Sequence, residues 1–289
     1  MAGPVAFECR REVLGISKSM GRRMLQANHK LLLKESERRA MRRAGQFNAQ
    51  LMDYLRPLIQ PGITTEEIDR LVHDYTIKHR HTPATLGYLG YTKCCCVSIN
   101  DVICHGIPGP VALRSGDIVN IDVTSIVEGW HGDQSETFLV GQCDSEAVAV
   151  TQCAFDCMHG AIESLSPGCP VSRIGETVVR IASERGFSVV REYVGHGLGR
   201  KFHQYPNIPH VPDRKSRQDL LYPGLCFTVE PMINVGTRFG KTDPKDGWTV
   251  RTRDGKLSAQ FEHTVLMTEN GPEILTATKN GPQPGHRFG

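Results

Sequence analysis

The chain has 289 residues, 39% of them hydrophobic, enough to bury one sizeable core or two modest ones. A net charge of +3 and few, scattered aromatic residues give no reason to expect nucleic acid as a substrate. Ten cysteines, with Cys94, Cys95 and Cys96 consecutive and no paired CxxC knuckles, fit a reduced interior better than a disulfide framework or a structural zinc site.

In chain order, residues 1–33 lack a sustained apolar period and are expected to form a basic extension to a single compact domain spanning 34–289. Eleven Lys or Arg fall between Arg10 and Arg43. From Lys34 to about Leu55 the composition is helical, and Pro57 should stop that helix before the Pro61-Gly62 corner. Thr64 and Glu67 have capping-box spacing, and Ile68, Leu71, Val72 and Tyr75 mark the apolar face of a second helix. The arrangement recurs about 100 residues later: a helical stretch from Glu146 to Leu165, Pro167-Gly168, then a helix carrying Ile174, Val178 and Ile181. Each copy leads into strands. The first leads into Gly116 to Val127 and His131 to Val140, a hairpin around Glu128-Gly129-Trp130. The second leads into Ser188 to Val194, Cys226 to Val235 and Leu257 to Met267. Two such halves predict an α/β (α+β) fold, with a mixed, mainly antiparallel sheet, outer helices and a cleft at the join.

Several polar residues sit where strands should be apolar. Asp122 interrupts an Ile/Val strand, and Asp133 lies on the partner strand, close enough to face it across the ladder. Two such carboxylates repel unless a cation lies between them; the plain alternative is a turn cap or an arginine partner for either. Glu230 and Glu262 occupy similar apolar surroundings, and His196 stands between two glycines. One imidazole and four carboxylates make an oxygen-rich donor set suited to divalent ions such as Mn, Fe or Co. The residues alone point to a metallohydrolase.

Six segments carry a closer likeness: Ser98 to Pro108, Asn120 to Thr124, His131-Gly132-Asp133, Gly195 to Gly199, Thr228 to Met232 and Ser258 to Thr264. In this order, from about Lys34 to about Leu275, they resemble the type I methionine aminopeptidases. The resemblance implies the pita-bread fold, whose paired halves match the suspected duplication. It further implies two divalent metal ions (Co, Mn, Fe, Zn or Ni) held by Asp122, Asp133, His196, Glu230 and Glu262. In that arrangement Asp133 and Glu262 bridge the ions, and Glu230 takes and returns a proton. By the same likeness His105 contacts the substrate amide, His203 polarises the scissile carbonyl, and Tyr88, Tyr91, Cys96, Phe202 and Trp248 line a methionine pocket. Thr85 stands where many bacterial relatives carry a cysteine.

The implied activity is removal of the initiator methionine from nascent polypeptides whose second residue is small. The basic extension suggests electrostatic attachment to the ribosome, or simply a solvated charged face. With no signal peptide and no long apolar run, a cytoplasmic monomer with no membrane partner is expected. Two rivals stand beside this reading. A proline-specific relative such as prolidase or aminopeptidase P usually carries a larger N-terminal domain, and a non-enzymatic binding protein on the same scaffold loses metal ligands.

Overall fold

The computed structural model describes residues 31–289. Helix α1 spans Glu35–Leu55, opened by Glu37, whose carboxylate accepts the Lys34 N–H at 2.9 Å. It gives way at Pro57 to a single 3-10 turn, Arg56–Leu58. Helix α2, Thr65–Lys78, begins with the expected reciprocal cap between Thr64 and Glu67. Short strands β1 (Thr82–Pro83), β2 (Cys96–Ile99) and β3 (Val102–Cys104) lead to the long hairpin β4 (Ile118–Val127) and β5 (Trp130–Leu139). Its two-residue turn, Glu128-Gly129, has φ of 50° and 80°, the left-handed pair that matches the twist of a hairpin. Trp130, expected in the turn, pairs with Val127 instead.

Helices α3 (Ser145–Glu163) and α4 (Ser172–Glu184) open the second half. Strands β6 (Ser188–Val189), β7 (Gly195–Gly197), β8 (Gln204–Ile208), β9 (Cys226–Val229) and β10 (Met232–Asn234) follow. The chain continues through β11 (Gly240–Thr242), β12 (Val250–Thr252), β13 (Ser258–Gln260), β14 (Glu262–Thr268) and β15 (Gly271–Ile274). The principal sheet runs β1-β4-β5-β14-β9-β7-β8, with β2 added to β4 and β15 to β14. Every ladder among the described residues is antiparallel.

Of three single strands read from the sequence, one is cut short and two are divided. Ser188 to Val194 keeps only β6 and leaves the ladder before β7. Cys226 to Val235 splits at Glu230-Pro231 into β9, in the principal sheet, and β10, in a small sheet with β13 and β6. Leu257 to Met267 splits at Phe261 into β13, in the small sheet, and β14, in the principal one. Proline has no N–H to give a ladder, which accounts for the first of the two sheet changes. Both changes fall beside a glutamate of the suspected donor set.

Each half has its own core. Leu51, Met52 and Leu55 of α1 and Ile68 and Val72 of α2 pack on Val119, Ile121 and Val123 of β4. In the second half α3 and α4 cover Phe227, Val229, Phe261 and Val265. At the join α1 lies so close to the hairpin that a Cβ on Gly132 would come within 2.4 Å of the Ala44 carbonyl oxygen. Buried Asn48 donates to the carbonyls of Val123 (2.7 Å) and Gly132 (2.6 Å), tying α1 to both strands. These contacts fix the two strands that carry Asp122 and Asp133.

Candidate metal centre

Five neighbouring strands of the principal sheet, in the order β4, β5, β14, β9 and β7, bring Asp122, Asp133, Glu262, Glu230 and His196 together. Register explains how. Asp122 is opposite Ser135, and Ser135 is opposite Glu262; Glu230 follows β9 one step beyond the Val229–His263 pair, in line with Glu262. Asp133 pairs with Thr124, so the two aspartates are diagonal neighbours on one face of the ladder, not directly opposed as the sequence suggested.

The cluster is tight and buried. Donor atoms of Asp133, His196 and Glu262 lie within 4.8 Å of one another. His196 Nε2 is 3.5 Å from Asp133 Oδ2 and 3.7 Å from Glu230 Oε1, while its Nδ1 lies 3.1 Å from the Gly197 carbonyl. That contact favours a proton on Nδ1 and leaves the Nε2 lone pair turned toward the carboxylates. Burial pulls the His196 pKa down to about 4, so the ring is a neutral donor at pH 7. Among the described residues no Lys or Arg pairs with any of the four carboxylates. Burial raises Asp133 to about 7. Burial, and then repulsion from their acidic neighbours, pushes Asp122, Glu230 and Glu262 well above the usual carboxylate range. Three buried acids and one half-buried acid, repelling one another when ionised, with a neutral imidazole fit divalent cations, which relieve both penalties at once.

Hydroxyls and amides orient the donors. Thr124 gives its O–H to Asp133 Oδ1 at 2.8 Å. Thr228 gives its O–H to Glu230 Oε1 at 2.7 Å and accepts the His196 N–H at 3.0 Å, joining two donors on separate strands. Thr264 gives its O–H to the Asp133 carbonyl at 2.8 Å. The Glu230 N–H donates to Nε2 of buried His210 at 3.0 Å, and buried Asn120 donates to the Gln260 carbonyl at 2.9 Å.

The remaining expected residues form two walls. On one side Phe202 is stacked on His203 with ring centroids 4.2 Å apart, and Tyr88 is tilted against Phe202 at 4.9 Å. His203 is exposed, its ring centroid 4.2 Å from that of His196. On the other side Trp248 stands edge-on to Tyr91 at 5.1 Å and to His105 at 6.1 Å. Burial lowers the His105 pKa to about 4. Cys96 is paired with Asp122 on β2, on the same face and beside the donors, and burial keeps its thiol protonated. Thr85 is buried, and its hydroxyl has no hydrogen-bond partner among the described residues.

The family model for metallopeptidase family M24 matches residues 39–269. The chain belongs to metallopeptidase family M24. It is 48% identical to a methionine aminopeptidase A from Synechocystis, over 85% of this chain and 96% of that one. It is 44% identical to the Escherichia coli methionine aminopeptidase, over 84% and 92%. A crystal structure of the Rickettsia prowazekii methionine aminopeptidase superposes with a TM-score of 0.83 at 42% identity, covering 85% of this chain and 99% of that one. This M24 chain therefore has the pita-bread fold and is an aminopeptidase of the methionine aminopeptidase group.

Residues that sequence reasoning passed over include His210, Thr228, Gln260 and Tyr193, whose ring lies 5.5 Å from His105. Thr228 and Gln260 had a signal: each precedes a glutamate donor by two residues, the strand spacing that shares a face. His210 and Tyr193 had none, since their contacts are made across separate loops.

Proposed function

We propose that this M24 aminopeptidase removes the initiator methionine from nascent polypeptides with a small second residue, through two divalent ions held by Asp122, Asp133, His196, Glu230 and Glu262. The observation that carries the reading is the row of five adjacent strands that sets one imidazole and four carboxylates on a single face. Bound there, a pair of divalent ions supplies Lewis acidity and a water-derived nucleophile near neutral pH. Asp133 and Glu262, adjacent in the row, would be the carboxylates shared between two such ions. Glu230, steadied by Thr228, takes a proton and returns it to the leaving amine. His105 engages the scissile amide from the Trp248 wall, and His203 donates to its carbonyl oxygen from the Phe202 wall.

Tyr88, Tyr91, Cys96, Phe202 and Trp248 receive the methionine side chain, because a thioether is held by shape and soft contacts with rings. The protein acts in the cytoplasm as a monomer, and residues 1–33 form an extension whose basic charge attaches it to the ribosome. Most of that extension, residues 1–30, lies outside the described residues. No helix among the described residues is long and apolar enough to cross a membrane. Metal analysis with assays on Met-Ala-Ser and Xaa-Pro peptides tests the reading. Two ions per chain and cleavage of Met-Ala-Ser support it; preferred cleavage of the Xaa-Pro peptide favours the proline-specific rival, and a chain without metal or activity favours a binding protein.

A further inference from the structure

Tyr88 stands on a strained turn. It opens the 3-10 turn Tyr88–Gly90, preceded by Gly87 at φ 83° and followed by Leu89 at φ 48°. Four backbone bonds hold the turn: Gly87 N–H to the Tyr91 carbonyl (2.8 Å), Tyr88 N–H to that of Thr85 (3.0 Å), Gly90 N–H to that of Gly87 (3.3 Å) and Tyr91 N–H to that of Tyr88 (2.9 Å). A non-glycine residue at positive φ is worth about 1–3 kcal/mol of strain, so a fixed placement of this loop is part of the fold. The placement sets the Tyr88 hydroxyl 2.8 Å from Nδ1 of His203.

The His203 ring is committed on its other sides. Phe202 lies stacked at 4.2 Å with an interplanar angle of 19°, and His196 meets it at 4.2 Å and 60°. With Nδ1 engaged by Tyr88, Nε2 is the ring nitrogen left for a substrate. A neutral imidazole carries one N–H, and whichever nitrogen lacks it presents a lone pair. A lone pair facing a carbonyl oxygen that gathers negative charge is repulsive, whereas an N–H there is stabilising.

We propose that Tyr88 is a positioning residue that acts through His203: its hydroxyl donates to Nδ1 and so holds the imidazole as the Nε2–H tautomer, the form that donates to the scissile carbonyl. The proposal rests on the reading that His203 faces that carbonyl. It gives Tyr88 a role beyond lining the methionine pocket, and the two roles separate experimentally. Its aromatic ring touches Phe202 and serves binding, while its hydroxyl serves the charge that develops during reaction. Loss of the hydroxyl alone therefore lowers kcat and leaves KM near its original value.

The test uses the metal-loaded enzyme on Met-Ala-Ser with Tyr88→Phe, His203→Ala and the double variant. Tyr88→Phe should lower kcat about tenfold, the scale of one lost orienting hydrogen bond, with KM changed less than about twofold. In the His203→Ala background the same change should have no further effect. Nitrogen-15 NMR of the metal-free protein supplies a readout independent of turnover. In the parent, Nδ1 of His203 should resonate as an unprotonated acceptor, and in Tyr88→Phe the two tautomers should mix. Equal loss in both backgrounds, a rise confined to KM, or a protonated Nδ1 in the parent overturns the proposal. Undiminished turnover of His203→Ala overturns instead the underlying reading of His203, and the proposal with it.

Discussion

Replacing Asp133 with Asn separates the two things a buried acidic cluster does. The residue is 3% exposed, and its carboxylate receives the Thr124 hydroxyl at 2.8 Å and lies 3.5 Å from His196 Nε2. Asparagine keeps the shape and the Thr124 bond but removes one of the four carboxylates that repel one another when ionised. With metal present, loss of one buried charge partner is worth about 3–5 kcal/mol, or roughly 10² to 10⁴ in metal affinity. Turnover at micromolar metal should fall with occupancy. Without metal the sign reverses. One repulsion is gone and one buried ionisable group with it, so the metal-free variant should be more stable than the metal-free parent by about 1 kcal/mol, or ~2–4 °C in Tm. Isothermal titration with Mn or Co and calorimetry in chelator measure the two effects. Near-parental metal affinity and turnover, or a metal-free Tm that falls, would refute the reasoning.

The same cluster makes metal-free stability depend on pH. Asp133 is raised to about 7 when folded, above its unfolded value near 4, so the native state binds the extra proton across that window. Stability in chelator should therefore fall as pH rises from about 4 to about 7, and added metal should restore it at the upper end; a metal-free Tm that climbs through this window contradicts the assignment. His105→Ala should keep both ions while turnover drops by about 10² to 10⁴, read from metal content and kcat together. Thr228→Val, which severs Glu230 from His196 without changing shape much, should weaken metal binding by about 10–100-fold with the fold retained by circular dichroism. Removing residues 1–30 should leave peptide hydrolysis intact and weaken ribosome co-sedimentation in a salt-dependent way, and an inactive truncated enzyme would place those residues in the catalytic fold.

Much of the centre was legible because strand alternation is strict. Asn120, Asp122 and Thr124 recur at every second position among Ile121 and Val123, and the structure turns all three polar side chains to one face, toward β5 and β13. The paired helix-corner-helix units were legible too, since capping and prolines act within a few residues. The sheet changes at Glu230 and Phe261 were harder. Their flanks are apolar on both sides, and only the tertiary exchange between two sheets shows that neither run is one strand. Short strands such as β11 and β12 contain no apolar period and exist because β3 offers an edge to pair with. The polar supports of the donors divide the same way: Thr228 and Gln260 follow the alternation, whereas His210 reaches Glu230 from 20 residues away.

The reading that this chain trims initiator methionine through a two-ion centre stands or falls on one comparison of kcat/KM, made with the metal-loaded enzyme on Met-Ala-Ser, Met-Leu-Ser and Leu-Ala-Ser. On the proposed reading, a pocket closed by Tyr88, Phe202 and Trp248 would admit methionine, and a bulky second residue would displace the scissile carbonyl; a shift of about 1 Å is worth roughly 10²-fold in rate. Met-Ala-Ser should therefore be cut at least about 10²-fold faster than either of the others. Comparable rates on all three peptides, or faster release of leucine, would contradict the account.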